Sequence, residues 1–335
     1  MLHKGIENTE ICKKKMKLQT EIPLSPEENQ IDYSSRILLL GSCFSENIGA
    51  KFDYFKFRNI QNPFGVIFNP VSIENLVIMA IDNNPFSEED IFQQNGIWKC
   101  FDAHSELSSL DKNAFLENLN IALQEFREAL FSSTHIIFTF GTSWVYRNIE
   151  SDEIVANCHK LPQKNFEKEL LSIQKISDSL KIVFDKISEI NPKAIIINTV
   201  SPVRHIKDGF SENSLSKAHL ISAIHDFINC KSPILNQNSF YFSSYEIMMD
   251  ELRDYRFYTE DMLHPNKTAI EIIWQKFSKV WISSATDSLQ KEISTIQTGL
   301  LHKAFNSESD EHLQFIEKLQ KKISLVKKLL PHIKF

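Results

Sequence analysis

The chain has 335 residues, 42% apolar and 24% charged, enough to bury a sizeable core, and carries a net charge of −6 at pH 7. Its eight glycines never stand as G-x-G or as G-x-x-x-x-G-K-[ST], which excludes a dinucleotide fingerprint and a P-loop. The acidic balance excludes a general attraction to nucleic acid or anionic lipid. Five scattered cysteines without a C-x-x-C point to a reducing compartment rather than to a disulfide framework or a cysteine-rich zinc site.

Residues 1–15 are polar and basic with no apolar h-region. They read as a disordered extension, of the kind a misassigned start codon adds, and not as a secretory signal. Protein-like patterning begins at Met16. No apolar run approaches the ~18 residues of a membrane span, so the expectation is a cytoplasmic protein without an integral membrane segment.

Four apolar runs rich in β-branched and aromatic residues predict buried strands: Arg36–Leu40, Thr134–Phe140, Ala194–Val200 and Phe240–Ser243. Their apolarity is continuous rather than alternating, as in a parallel sheet covered on both faces. Helical spacing predicts a helix over Asn113–Phe131, with Phe115, Leu119, Ala122, Phe126 and Leu130 on one stripe. A second predicted helix, Phe166–Ile190, carries Leu170, Ile173, Ile176, Leu180, Val183 and Ile187 and is stopped by Asn191-Pro192. After Thr268 a helix runs through Ile272, Trp274 and Phe277, and the remainder of the chain reads as helical. Its last stretch spaces Ile316, Leu319, Ile323, Val326 and Leu330 by three and four, opposite a face of lysines. Packing on its own body is the plain expectation for that helix, with a homodimer contact or an acidic partner as alternatives. The alternation of strands and helices predicts a three-layer α/β/α sandwich with a parallel sheet of about five strands over residues 16–285, followed by a helical C-terminal extension over 286–335.

Ligands of open parallel sheets bind beyond the carboxyl ends of the strands, so the residues after each strand carry the functional information. Gly41-Ser42-Cys43-Phe44-Ser45 follows the first strand and enters a helix, whose N-terminus lowers a thiol's pKa and stabilises an oxyanion. Gly141-Thr142-Ser143-Trp144 follows the second strand, and Ser201-Pro202-Val203-Arg204-His205 the third. Asp261-Met262-Leu263-His264 lies between the last strand and the next helix, with a carboxylate spaced to hold an imidazole Nδ1–H while Nε2 faces a nucleophile. Each element alone has a plain structural explanation, such as a helix cap, a buried thiol or a loop hydrogen bond. Their conjunction in this order is the informative feature.

Gly41-Ser42-Cys43-Phe44-Ser45 resembles the motif of the GSCFA-domain family, which belongs with the SGNH/GDSL-type hydrolases. The resemblance extends through Thr20–Pro23, Asn62–Gly65, Thr139–Tyr146, Asn157–Lys160, Thr199–His205, Tyr255–Tyr258 and Asp261–Pro265. It implies an SGNH-hydrolase-like, flavodoxin-like fold. In the superfamily's first block, Gly-Asp-Ser, the serine is the nucleophile; here that frame places Cys43 at the nucleophile position and Ser42 at the aspartate's. The second block implies Gly65 as an oxyanion-hole glycine. In the third block the oxyanion-binding asparagine is replaced by Ser143, so Thr142, Ser143 and Asn157 are the candidate donors. Asp261 and His264 reproduce the fifth block.

The expected chemistry is that of an esterase or acyltransferase working through a covalent acyl-enzyme on a small-molecule, sugar or lipid ester. Cys43 is favoured over Ser42 as nucleophile, His264 transfers the proton and Asp261 orients it. His159 and Arg204 are candidate contacts to an anionic or hydroxylated substrate. The spacing of the histidines and cysteines gives no metal set, and no cofactor is expected. Two other readings are a ligand-binding member of the fold without turnover, motivated by the altered first and third blocks, and an assembly protein acting through its C-terminal helix.

Overall fold

A computed structural model describes residues 19–229, 238–303, 305, 306 and 308–335; the extension expected over 1–15 and Cys230 lie outside them. In chain order the elements are β1 (Arg36–Gly41), α1 (Cys43–Tyr54), β2 (Arg58–Gln61), α2 (Pro70–Asp82), β3 (Ile91–Gln94), β4 (Ile97–Cys100), α3 (Lys112–Ser132), β5 (His135–Phe140), β6 (Trp144–Asn148), β7 (Ile154–Val155), β8 (Phe166–Leu170), α4 (Ile173–Ile190), β9 (Ile195–Val200), α5 (Phe210–Asn229), β10 (Ser239–Tyr241), α6 (Ser244–Glu246), α7 (Lys267–Trp281), α8 (Asp287–Leu301) and α9 (Asp310–Leu329).

The central sheet has five parallel strands in the order β10-β9-β5-β1-β2. Successive residues of a strand point to opposite faces. Leu38, Leu40, Ile136, Phe138, Phe140 and Ile196 therefore pack under α2, α3, α4 and α5. Ile37, Leu39, Ile137, Ile195 and Ile197 pack under α1, α7, α8 and α9. Burial on both faces is why these strands are apolar at every position. The result is the expected α/β/α sandwich with C-terminal helices.

The chain leaves β1 for β2 on one side and then returns to place β5 on the other side of β1. That reversal puts the topological switch between the carboxyl ends of β1 and β5, where ligands of open α/β sheets bind.

The structure corrects two readings of the sequence. Phe166–Leu170, expected as the first turns of a helix, is strand β8, paired antiparallel with β6 in the register Trp144↔Leu170 to Asn148↔Phe166. The helix begins only after Ser172, whose hydroxyl caps it by accepting from Lys175 N–H. The last strand is Ser239–Tyr241 and not Phe240–Ser243, because α6 begins at Ser244 and Phe242 already belongs to the turn into it.

In α9, Leu319, Ile323 and Val326 are buried in one cluster with Ile293 and Ile296 of α8. Three residues of the apolar stripe that admitted a dimer contact are thus spent on the protein's own body, while Ile316 stays exposed. Among the described residues no helix is long and apolar enough to cross a membrane.

Candidate functional site

The backbone at the switch is packed too closely for side chains. Gly41 closes β1 with φ +151°, and a Cβ there would lie 2.3 Å from the carbonyl oxygen of Thr139 on β5. Its N–H donates to Asn62 Oδ1 at 2.9 Å, and the next residue, Ser42, donates its N–H to Thr139 O at 3.0 Å. Gly141, at the end of β5, donates to Phe68 O at 2.8 Å, and a Cβ on it would meet the Phe68 ring at 2.8 Å. The Asn62–Phe68 loop after β2 therefore ties down the ends of both β1 and β5, and Gly65, at φ +74°, turns within it.

Ser42 and Cys43 have different fates at this edge. Ser42 is 1% exposed, and its hydroxyl caps α1 by accepting from Phe44 N–H at 3.2 Å. Cys43 is the first residue of α1 and is half-buried. Burial pushes its thiol up, as does the Glu46 carboxylate one turn along; the amides of Cys43 and Phe44 and the Lys217 amine pull it back. The helix N-terminus expected to lower the thiol's pKa acts in that direction but is outweighed.

Asp261 and His264 form a hydrogen-bonded pair of 2.5 Å between Oδ2 and Nδ1. The other carboxylate oxygen accepts from the Thr259 hydroxyl at 2.6 Å and from the Leu263 and His264 amides at 2.8 and 3.0 Å. These donors, the Thr259 hydroxyl foremost, hold Asp261 well below the usual carboxylate range. The pair is 44% and 45% exposed and faces solvent. Arg204 braces this loop: its N–H donates to Leu263 O at 3.2 Å and its guanidinium to Met262 O at 3.4 Å, while the guanidinium lies 5.9 Å from the Tyr258 ring centroid.

Two further residues lie at these strand ends: Lys217, missed in the sequence, and His205, placed there after the third strand without a role. Lys217 of α5 is 1% exposed, and its Nζ donates to Gly141 O at 2.6 Å and to Ser201 O at 2.8 Å, joining the ends of β5 and β9. Burial brings this amine down to about 7, opposed by Cys43. His205 is brought down to about 3 by burial and then by the Lys217 and His264 charges, and its buried Nε2 has no hydrogen-bond partner. Cys43 and Lys217, Lys217 and His205, and His205 and His264 are each close enough to act electrostatically on one another. A signal for Lys217 was present: it lies three residues before Leu220 on the face of α5 that also buries Ala223, Ile224 and Phe227.

The expected oxyanion and substrate contacts are mostly committed elsewhere. Thr142 and Ser143 are buried against α5, where the Ser216 hydroxyl bonds the Thr142 hydroxyl and accepts the Ser143 N–H, both at 2.8 Å. Gly65 N–H is taken by Asn62 O at 2.7 Å. His159 is enclosed between Cys100 O at 2.6 Å and the Ser105 hydroxyl at 3.1 Å, and Asn157 accepts the His159 N–H at 2.8 Å. That pair supports the β3–β4 insertion and is not gathered with Cys43. The Cys43 amide remains as a donor, since the first residue of a helix has no intrahelical acceptor.

A cleft of about 440 Å³ opens one turn along α1 from Cys43, lined by Glu46, Gln61, Asn62, Gly65 and Leu107. A larger cleft of about 770 Å³, between residues 19–25 and Lys276 and Lys279 of α7, contains none of the site residues. Among the described residues no group of three or more His, Cys, Asp or Glu side chains is placed to hold a metal ion.

The fold and this edge define an α/β protein with a thiol at the topological switch and an Asp–His pair on a neighbouring loop. The model of the GSCFA family matches residues 36–277, and that of the GSCFA domain protein, C-terminal domain, matches residues 293–335. The chain belongs to the GSCFA family. No curated protein matches it.

Proposed function

We propose that the protein is an SGNH-type esterase or acyltransferase that forms an acyl-enzyme on Cys43. The observation that carries this reading is the contrast after β1: Ser42 is sealed in as a helix cap, whereas Cys43 is accessible at the switch. His264 serves on the same site as a proton carrier to the leaving group and from the attacking water or alcohol. Asp261 fixes its Nδ1–H tautomer, leaving Nε2 to work. The Cys43 amide is the main-chain donor to the oxyanion. The substrate class is an ester of a small molecule, sugar or lipid. A thiol that must stay reduced suits a cytoplasmic setting.

The test is stopped-flow hydrolysis of a p-nitrophenyl ester by the full chain. A stoichiometric burst of p-nitrophenol is expected, lost in Cys43→Ala and retained in Ser42→Ala. The reverse pattern makes Ser42 the nucleophile. A full rate in both variants removes the acyl-enzyme, and ligand binding without turnover would make the chain a binding member of the fold. Added alcohol or amine acceptors separate transfer from hydrolysis by the product formed.

A further inference from the structure

Lys217 is a buried amine without a carboxylate partner among the described residues. It is instead held by two main-chain carbonyls, Gly141 O and Ser201 O. The Tyr245 ring of α6 has its centroid 5.7 Å from Nζ, and Cys43 of α1 and His205 of the loop after β9 lie within electrostatic range of it. Two N–H bonds of a tetrahedral amine point at the carbonyls, so the third direction is open to carry either a proton or a lone pair. Cys43 is brought there by the same strand ends: Ser42 N–H bonds Thr139 O, two residues before the carbonyl that holds Nζ.

We infer that Lys217, rather than His264, accepts the thiol proton of Cys43 when the sulfur attacks. This rests on the reading of Cys43 as nucleophile. In acylation the S–H bond breaks, the proton passes to the Nζ lone pair, the S–C bond forms and the carbonyl electron pair moves to oxygen. Collapse breaks the ester C–O bond, and the departing alkoxide takes a proton from protonated His264. In deacylation a water proton goes to His264, its oxygen bonds the acyl carbon, the C–S bond breaks and the sulfur takes its proton back from the Lys217 ammonium. An ester and a water are consumed, an acid and an alcohol leave, and both carriers are restored. Two carriers explain why the imidazole is half-exposed on a loop while the amine is sealed at the ends of β5 and β9.

The experiment is the pH profile of iodoacetamide alkylation, read by mass spectrometry on the Cys43 peptide so that the other cysteines do not interfere. In the wild type the rate should rise through an inflection near 7, the value at which Lys217 gives up its proton. Lys217→Met should move the inflection above the ordinary thiol value of 9.0 and slow alkylation at pH 7.5 about tenfold or more. His264→Gln should leave the profile in place while ester turnover falls. An unchanged profile in Lys217→Met, or an inflection that disappears with His264→Gln, overturns the assignment. If Lys217→Met does not fold, the wild type and His264→Gln decide the point alone. Failure of the nucleophile reading shows separately, as turnover that survives Cys43→Ala.

Discussion

Replacing Lys217 by methionine tests the buried amine through stability alone. In the unfolded chain the amine keeps its proton up to the ordinary 10.5, whereas in the folded protein it gives it up at about 7. Between those values the unfolded state binds more protons, so stability must rise with pH; the penalty is absent above 10.5 and complete below about 7. At about 1.36 kcal/mol per unit, the interval from 10.5 to about 7 amounts to about 5 kcal/mol. Lys217→Met removes that penalty but leaves Gly141 O and Ser201 O unpaired in the interior, at about 1–3 kcal/mol each. The two effects nearly cancel at pH 7. By pH 9 the wild type has recovered about 3 kcal/mol that the variant never lost. Urea unfolding followed by tryptophan fluorescence at pH 7 and pH 9 reads the difference. A wild-type-minus-variant stability that is the same at both pH values refutes the reasoning, because the amine would then be protonated in both states throughout.

Gly41→Ala combines a Cβ 2.3 Å from a strand carbonyl with φ +151°, and should cost about 3 kcal/mol or more. A loss under about 1 kcal/mol by urea unfolding would mean that β1 and β5 separate easily. Asp261→Asn takes from His264 the acceptor that fixes its tautomer, so ester turnover should fall about 10²-fold or more while Cys43 alkylation continues. Unchanged turnover would remove the pair from the chemistry.

The parts of the fold legible in the sequence were those whose environment is uniform. RILLL and HIIFTF are apolar throughout because helices cover both faces, and no partner has to be known to read them. Phe166–Leu170 was misread because Phe166, Leu170 and Ile173 keep the three- and four-residue spacing of a helix. What decides its state is β6, more than fifteen residues earlier, together with the Ser172 cap. β2 was invisible because Arg58-Asn59-Ile60-Gln61 is polar. It exists as an edge paired to β1, with Asn59 and Gln61 side chains both bonded to Asp53 at 2.6 and 2.9 Å. The same division holds at the candidate site. Gly41-Ser42-Cys43 and Asp261–His264 are local constellations and could be read locally. Lys217 has partners from two strand ends 76 and 16 residues away, which no spacing rule brings together.

The burial of Ser42 explains how a Gly-Ser-Cys frame can stand where the proposed superfamily has Gly-Asp-Ser. The residue after the strand-ending glycine must start a helix, and here it does so by accepting an amide hydrogen on its side chain. Aspartate and serine are among the strongest N-cap residues for the same reason, so exchanging them preserves the start of α1. The residue that follows is the one turned toward the site, and its reactivity is set by what lies beneath it. A serine there needs a strong external base. A thiol is the stronger nucleophile, and on the proposal above the buried amine takes its proton as the sulfur attacks. If Cys43 is the nucleophile as proposed, the thiol and Lys217 form one device, and at pH 7 Lys217→Met should penalise Cys43 far more than it penalises the fold.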